Sequence, residues 1–312
     1  LRFRLQFIVE IFGKIQTHAK YMDCVRTYLA YDPTIKNGAV QASEMQSIEF
    51  RNVSFSYIEG KEVLKNVSFK IQKGEKIALV GFNGAGKSTL LKLLLRLYDP
   101  TDGIILYNGR DIKEYDIDSY RTKFGVVLQD FKLFALSIAE NVLGDLYDHT
   151  KDEVVLDSLR KAQFSSRLTQ MTNGIQTELT RELSSNGTNL SGGETQKLAI
   201  ARVFAKPYDV FVMDEPSAAL DPETEDKIMQ NIAEAAREKT VLIVSHRLST
   251  VCNSNRIYLF EHGQLKEQGT HSELLQKNEI YATLFKVQAQ KYKANKSNNQ
   301  KKQTNHATTQ VQ

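Results

Sequence analysis

The stretch Gly81-Phe82-Asn83-Gly84-Ala85-Gly86-Lys87-Ser88-Thr89 narrows most what this chain can fold into. It joins an apolar run, Ile77-Ala78-Leu79-Val80, to a helical pattern from Thr89 to Leu97. Gly81, Gly84 and Gly86 permit positive φ and carry no Cβ, so successive backbone N–H groups can turn inward and approach an anion closely. The following helix presents its positive N-terminus to the same anion. Lys87 reaches β- and γ-phosphates as a point charge, and the Ser88 hydroxyl is placed to ligate the Mg²⁺ that accompanies them. The expectation is a nucleotide phosphate-binding loop between a buried strand and a helix.

A chain of 312 residues has room for two domains, or for one large α/β domain with attached segments. Its formal charge of +4 is carried by the end of the chain: Lys286, Lys291, Lys293, Lys296, Lys301 and Lys302 lie where no Asp or Glu occurs. Without those six lysines the charge is about −2. A folded basic face of the kind that binds nucleic acid is therefore not indicated. The two cysteines, Cys24 and Cys252, have neither paired spacing nor histidine partners, so no disulfide framework or metal site is indicated and a reducing compartment is expected. No run is long enough to span a bilayer. The chain opens on Leu1 rather than Met, from which we expect a longer protein, cut or truncated upstream.

Residues 1–30 carry an apolar stripe, Leu1, Leu5, Ile8, Phe12, Ile15, Ala19 and Met22, at steps of four and three, the spacing of one helix face. It reads either as a terminal helix packed on its own domain or as the cytoplasmic end of a membrane helix. Residues 31–47 read as a polar linker broken by Pro33 and Gly38. Alternation over Ile48–Tyr57 and Val63–Ile71 predicts a small antiparallel sheet. Beyond the loop, buried strands at Phe124–Leu128, Val210–Met213, Val241–Val244 and Ile257–Phe260 alternate with helices, which predicts an α/β core with a mainly parallel sheet. The stretch from Ser137 to about Thr172 is mainly helical, and residues 290–312 are expected to be a disordered polar and basic tail.

Asp214 and Glu215 follow four buried apolar residues at the carboxyl end of a strand, the edge where open α/β sheets collect ligands. A carboxylate there can hold Mg²⁺ while its neighbour points elsewhere and polarises an attacking water, so Asp214 is assigned to the metal and Glu215 to the water. A second anion site is expected at Leu190-Ser191-Gly192-Gly193-Glu194, where a capping box opens a helix running to about Ala205.

With this last segment the sequence resembles the ATP-binding cassette (ABC) ATPases over about Ile48 to Ala289. The resemblance implies a P-loop NTPase core with an antiparallel β subdomain and a helical signature subdomain. It also implies that Ser191, Gly192 and Gly193 contact the γ-phosphate of ATP held by a second cassette, so that two cassettes enclose two nucleotides. Tyr57 then resembles the adenine-stacking aromatic, and Gln129 the glutamine that reaches Mg²⁺ and the water. Ser217-Ala218-Ala219-Leu220-Asp221 resembles the loop crossing the dimer interface, and His246 the switch histidine on the γ-phosphate. The segments Gln129–Phe134, Ile138–Val142 and Ser245–Thr250 are similar to exporter cassettes. In that light residues 1–30 are expected to extend the last helix of a membrane domain upstream, in a half-transporter at the cell membrane paired with an identical or different partner, its cassette on the cytoplasmic side. A soluble ABC ATPase outside transport is the alternative. Two departures stand out: residues 178–187 differ from the common exporter pattern, and Glu194 stands where Gln is usual, a change that keeps the capping box.

Overall fold

Val210–Met213 is apolar at every position because its alternate side chains enter different cores. Val210 and Val212 pack with Leu79, Leu242 and Val244, whereas Phe211 and Met213 pack with Val241, Ile243 and Leu198. A strand of this kind needs cover on both sheet faces. The computed structural model describes residues 2–181, 187–216, 220–245, 251–287 and 289, with backbone alone at 2–9 and 222. The assigned His246, the interface-loop residues Ser217–Ala219, part of the segment 178–187, and the tail from 290 lie outside the described residues.

In chain order the domain begins with β1 (Ser47–Ile58), β2 (Lys61–Gln72) and β3 (Lys76–Gly81), then helix α2 (Lys87–Leu94); α1 (Arg2–Leu29) precedes them. β4 (Asp102–Tyr107), β5 (Arg110–Asp111), α3 (Ile117–Arg121) and β6 (Phe124–Val127) follow. The helical stretch holds α4 (Ile138–Leu143), α5 (Asp152–Lys161), α6 (Ser165–Leu168) and α7 (Gly192–Phe204). β7 (Val210–Asp214), α8 (Pro222–Ala235), β8 (Thr240–Val244), β9 (Arg256–Glu261) and β10 (Gln264–Gly269) complete the core, with helices at His271–Lys277 and 280–287.

Among the described residues the strands form two sheets. One is antiparallel, in the order β2-β1-β4-β5; the other runs β10-β9-β3-β8-β7-β6 and is parallel except for the β9–β10 hairpin. The antiparallel sheet and α2 cover one face of the parallel sheet, through Phe50, Phe69 and Leu91. Helices α4, α5, α7 and α8 cover the other, through Val142, Leu159, Leu198 and Ile232. Parallel register brings the strand ends into one row: Val127 pairs with Met213, Asp214 with Val244, and Val244 with Leu79. Gln129, Glu215 and the loop after Gly81 therefore emerge at a single sheet edge.

Two compact units divide at residue 36. The first is α1, which leaves Phe12, Ile15 and Met22 more than half exposed; no helix among the described residues is long and apolar enough to cross a membrane. The second begins at Asn37, ten residues before β1. Residues 37–46 read as linker in the sequence because they form no regular element. They are nonetheless tied down: Gly38 N–H donates to Tyr115 O at 3.1 Å, Tyr107 Oη donates to Ser43 O at 2.8 Å, and Met45 is buried.

Candidate functional site

The loop leaving β3 must turn sharply into α2, and its glycines make the turn. Gly81, Gly84 and Gly86 all have positive φ, at 145°, 77° and 95°. At Gly81 a Cβ would lie 2.0 Å from Phe260 O, and at Gly86 it would lie 2.6 Å from Leu64 Cδ2. Those two positions are closed to side chains by backbone angle and by space together. Gly81→Ala is expected to lower stability by about 2 kcal/mol, measured by urea denaturation, since strain of this kind costs 1–3 kcal/mol. Gly86 caps α2 in the left-handed region, so the helix N-terminus opens into a cavity of about 540 Å³. Asn83, Gly84, Ala85, Gly86, Lys87, Ser88 and Thr89 line it together with Val63, Gln129, Glu215 and Val244.

Lys87 is buried and folds back on the loop, donating from Nζ to Gly81 O at 2.8 Å and to Phe82 O at 2.9 Å. Burial lowers its pKa, against the opposing pull of Glu215 and then Asp214. The lysine is thus held by neutral carbonyls, which a phosphate can replace with a stronger, charge-assisted contact.

Asp214 continues the parity of Val210 and Val212, so its carboxyl points to the sheet face that carries α2. There it accepts a hydrogen bond from Ser88. Burial raises its pKa, the Ser88 bond opposing, and Glu215 adds to the rise. Its Oδ1 is buried with no hydrogen-bond partner among the described residues. A buried carboxylate oxygen left over beside a serine hydroxyl fits the oxygen-donor set of a hard divalent cation. Glu215 stands at φ 51°, the left-handed region that a glutamate enters only when its surroundings hold it there. Its N–H donates to Val244 O at 3.0 Å, and its carbonyl accepts from Gln196 Nε2 at 3.3 Å. The twist turns Glu215 away from the register of Asp214, and both Glu215 and Gln129 face the cavity.

Tyr57 sits beside this cavity and is absent from its lining. Its hydroxyl lies 3.2 Å from Thr89 Oγ1, and Phe55 and Tyr98 meet its ring edge-to-face at 4.9 and 5.2 Å, leaving it half-exposed. Ser191, Gly192 and Gly193 are likewise not among the lining residues. They begin α7, where Ser191 Oγ accepts from Glu194 N–H at 3.4 Å and Glu194 Oε2 accepts from Ser191 N–H at 2.8 Å. The chain therefore brings the loop, Asp214, Glu215 and Gln129 together, and Ser191–Gly193 do not line the same cavity. Two supporting residues escaped the sequence reading. Gln196, buried on α7, reaches the Glu215 carbonyl, and Arg202 donates from Nε to Asn141 O at 2.9 Å and from Nη2 to Lys132 O at 3.0 Å. Both are polar residues on the inward face of an otherwise apolar helix, which was their signal in the sequence.

A phosphate loop at the carboxyl edge of a parallel sheet, with two acidic residues at the end of the buried strand next but one to it, defines a P-loop nucleotide-binding domain. Residues 64–218 match the family model described as ABC transporter, and the chain belongs to that family. It is 42% identical over 244 residues to the iron–sulfur clusters transporter ATM1, mitochondrial, of Saccharomyces cerevisiae, covering 77% of this chain and 35% of that protein. It is 38% identical over 257 residues to the putative multidrug export ATP-binding/permease protein YgaD of Bacillus subtilis, covering 82% and 43%. A solved structure of a bacterial Atm1-family ABC exporter with ATP bound superposes with a TM-score of 0.81 at 32% identity, over 91% of this chain and 50% of that one. The fold is thus that of the ABC ATPases, and the chain spans half or less of the length of these relatives.

Proposed function

We propose that this chain is the ATP-binding and ATP-hydrolysing cassette of an ABC exporter half-transporter, working on the cytoplasmic side of the membrane as one of a pair. The reading rests above all on the division of the site. The loop, Glu215 and Gln129 line one cavity, with Asp214 buried behind Ser88, whereas Ser191–Gly193 expose a capped helix N-terminus outside it. A second cassette would bring its own copy of that helix end to a phosphate held in the cavity. Lys87, the loop N–H groups and the α2 N-terminus bind the phosphates; Tyr57 takes the adenine by stacking. Asp214 and Ser88, with Gln129, would hold Mg²⁺, which when bound offsets negative charge on the transferred phosphoryl group. Glu215 orients and deprotonates the attacking water. Closing two cassettes on ATP and opening them after hydrolysis would drive a membrane domain between its two states.

Phosphate release by the 312-residue chain with Mg-ATP tests this directly. Specific activity should rise with protein concentration, because each complete site needs two chains. A specific activity independent of concentration, from a chain that stays monomeric, would remove the paired reading.

A further inference from the structure

The Glu194 side chain poses an electrostatic problem that its neighbours solve. Under the function proposed above, the start of α7 receives a phosphate, yet Glu194 places a fixed carboxylate in the first turn of the same helix. Both anions draw on one partial positive charge and stand within about one turn of each other, well inside the screening length of physiological salt. The carboxylate stays ionised: burial pushes its pKa up, but the Ser191 hydrogen bonds and the charges of Arg167 and Lys197 outweigh that and leave it below the ordinary glutamate value. Its two oxygens are divided. Oε2 caps Ser191 N–H, and Oε1 lies 3.0 Å from Arg167 Nε. Arg167 stands on α6, a different element, and its guanidinium is oriented by a 3.0 Å bond from Nη1 to Gln170 Oε1. Its Nε is buried and pairs with the carboxylate as an ion pair rather than an aligned hydrogen bond.

We propose that Arg167 is a positioning residue that neutralises Glu194, so that Ser191–Gly193 can accept the partner-held phosphate despite an anion in the first turn of α7. The inference rests on the paired-cassette reading and adds to it a counter-charge from the helical subdomain. Lys197, one turn further along α7, contributes in the same direction and is the weaker influence.

The experiment is a double-mutant cycle on the full chain, reading kcat and the ATP concentration for half-maximal phosphate release separately. Arg167→Ala should raise that concentration about fivefold with kcat held within about twofold, the scale of one partly exposed ion pair. In a Glu194→Gln background the same replacement should shift it by less than about twofold, because no carboxylate remains to be offset. Arg167→Gln, which keeps the side-chain bulk, guards against a folding defect and should behave like Arg167→Ala. Equal shifts in both backgrounds, a loss confined to kcat, or no shift in either would overturn the inference. Gly192→Asp, run in parallel, adds an anion directly at the phosphate position. If it leaves the half-maximal ATP concentration unchanged, the reading of α7 as a phosphate site fails and the inference with it; if it raises that concentration, equal Arg167 shifts sink the compensation alone.

Discussion

Glu215→Gln should lower ATP turnover by about 10³-fold, within the range that general-base catalysis supplies, while leaving nucleotide binding intact. The glutamine keeps the shape and hydrogen-bonding reach of the side chain but cannot take a proton from water. The backbone that positions the side chain is fixed independently of its charge, by the Val244 carbonyl at 3.0 Å and the Gln196 amide at 3.3 Å. A variant that changes only the side-chain terminus therefore leaves the left-handed turn in place. Loss of one negative charge beside Lys87 also removes the larger of its two carboxylate influences, leaving the lysine freer to pair with phosphate. Binding of ATP should thus hold or strengthen, and a nucleotide-bound dimer should accumulate in size-exclusion chromatography with light scattering. Steady-state hydrolysis at the wild-type rate would remove Glu215 from the role of base.

The parts of the fold legible in the sequence were those with strong local chemistry. Val210–Met213 reads as a doubly covered strand because nothing but burial on both faces tolerates four apolar residues in succession. The capping box at Ser191–Glu194 reads directly, since both of its hydrogen bonds are local. The loop glycines, too, all take the positive φ their spacing requires. What stayed hidden depends on distant partners. β10 is a polar edge strand, Gln264–Gly269, whose one well-buried side chain is Glu267, so its alternation carries almost no apolar signal. Residues 37–46 are pinned by Tyr107, Tyr115, Ile117 and Ser119, some 64 to 80 positions later in the chain. The α2 helix starts at Lys87 rather than Thr89, because the phosphate loop itself supplies the first turn and its cap. Within the site, residue types were readable, but the Arg167–Glu194 pair was not: it joins α6 to α7 across 27 positions, and no local pattern announces it.

Asp214→Asn should separate stability from activity, lowering Mg²⁺-dependent turnover by about 10³-fold, several kcal/mol of lost charge stabilisation, while the protein without nucleotide or metal melts higher than wild type near neutral pH. The two effects share one cause. Asp214 Oδ1 is buried without a hydrogen-bond partner among the described residues, and burial raises the carboxyl pKa above its ordinary value of 3.8. For a carboxyl raised on folding, the neutral form is favoured in the folded state, so its contribution is fully present below the unfolded pKa and is lost as pH rises through the folded one. At neutral pH the wild-type protein therefore bears the cost of an ionised, desolvated carboxylate that asparagine does not impose. Asparagine also offers a side-chain oxygen to the Ser88 hydroxyl, and Glu215 remains as the larger counter-charge to Lys87. The stability gain should accordingly vanish near about pH 3 and grow as pH rises above the ordinary carboxyl range, the signature of a titrating group rather than of improved packing. Thermal melts of both proteins in chelator across that range measure it. Repeating them with Mg-ATP should reverse the order, because ligand stabilisation is retained by the wild type and weakened in the variant. A variant that melts lower than wild type at every pH in chelator, or one that keeps its Mg²⁺-dependent turnover, would show that this carboxylate is a structural group and not the one that holds the metal.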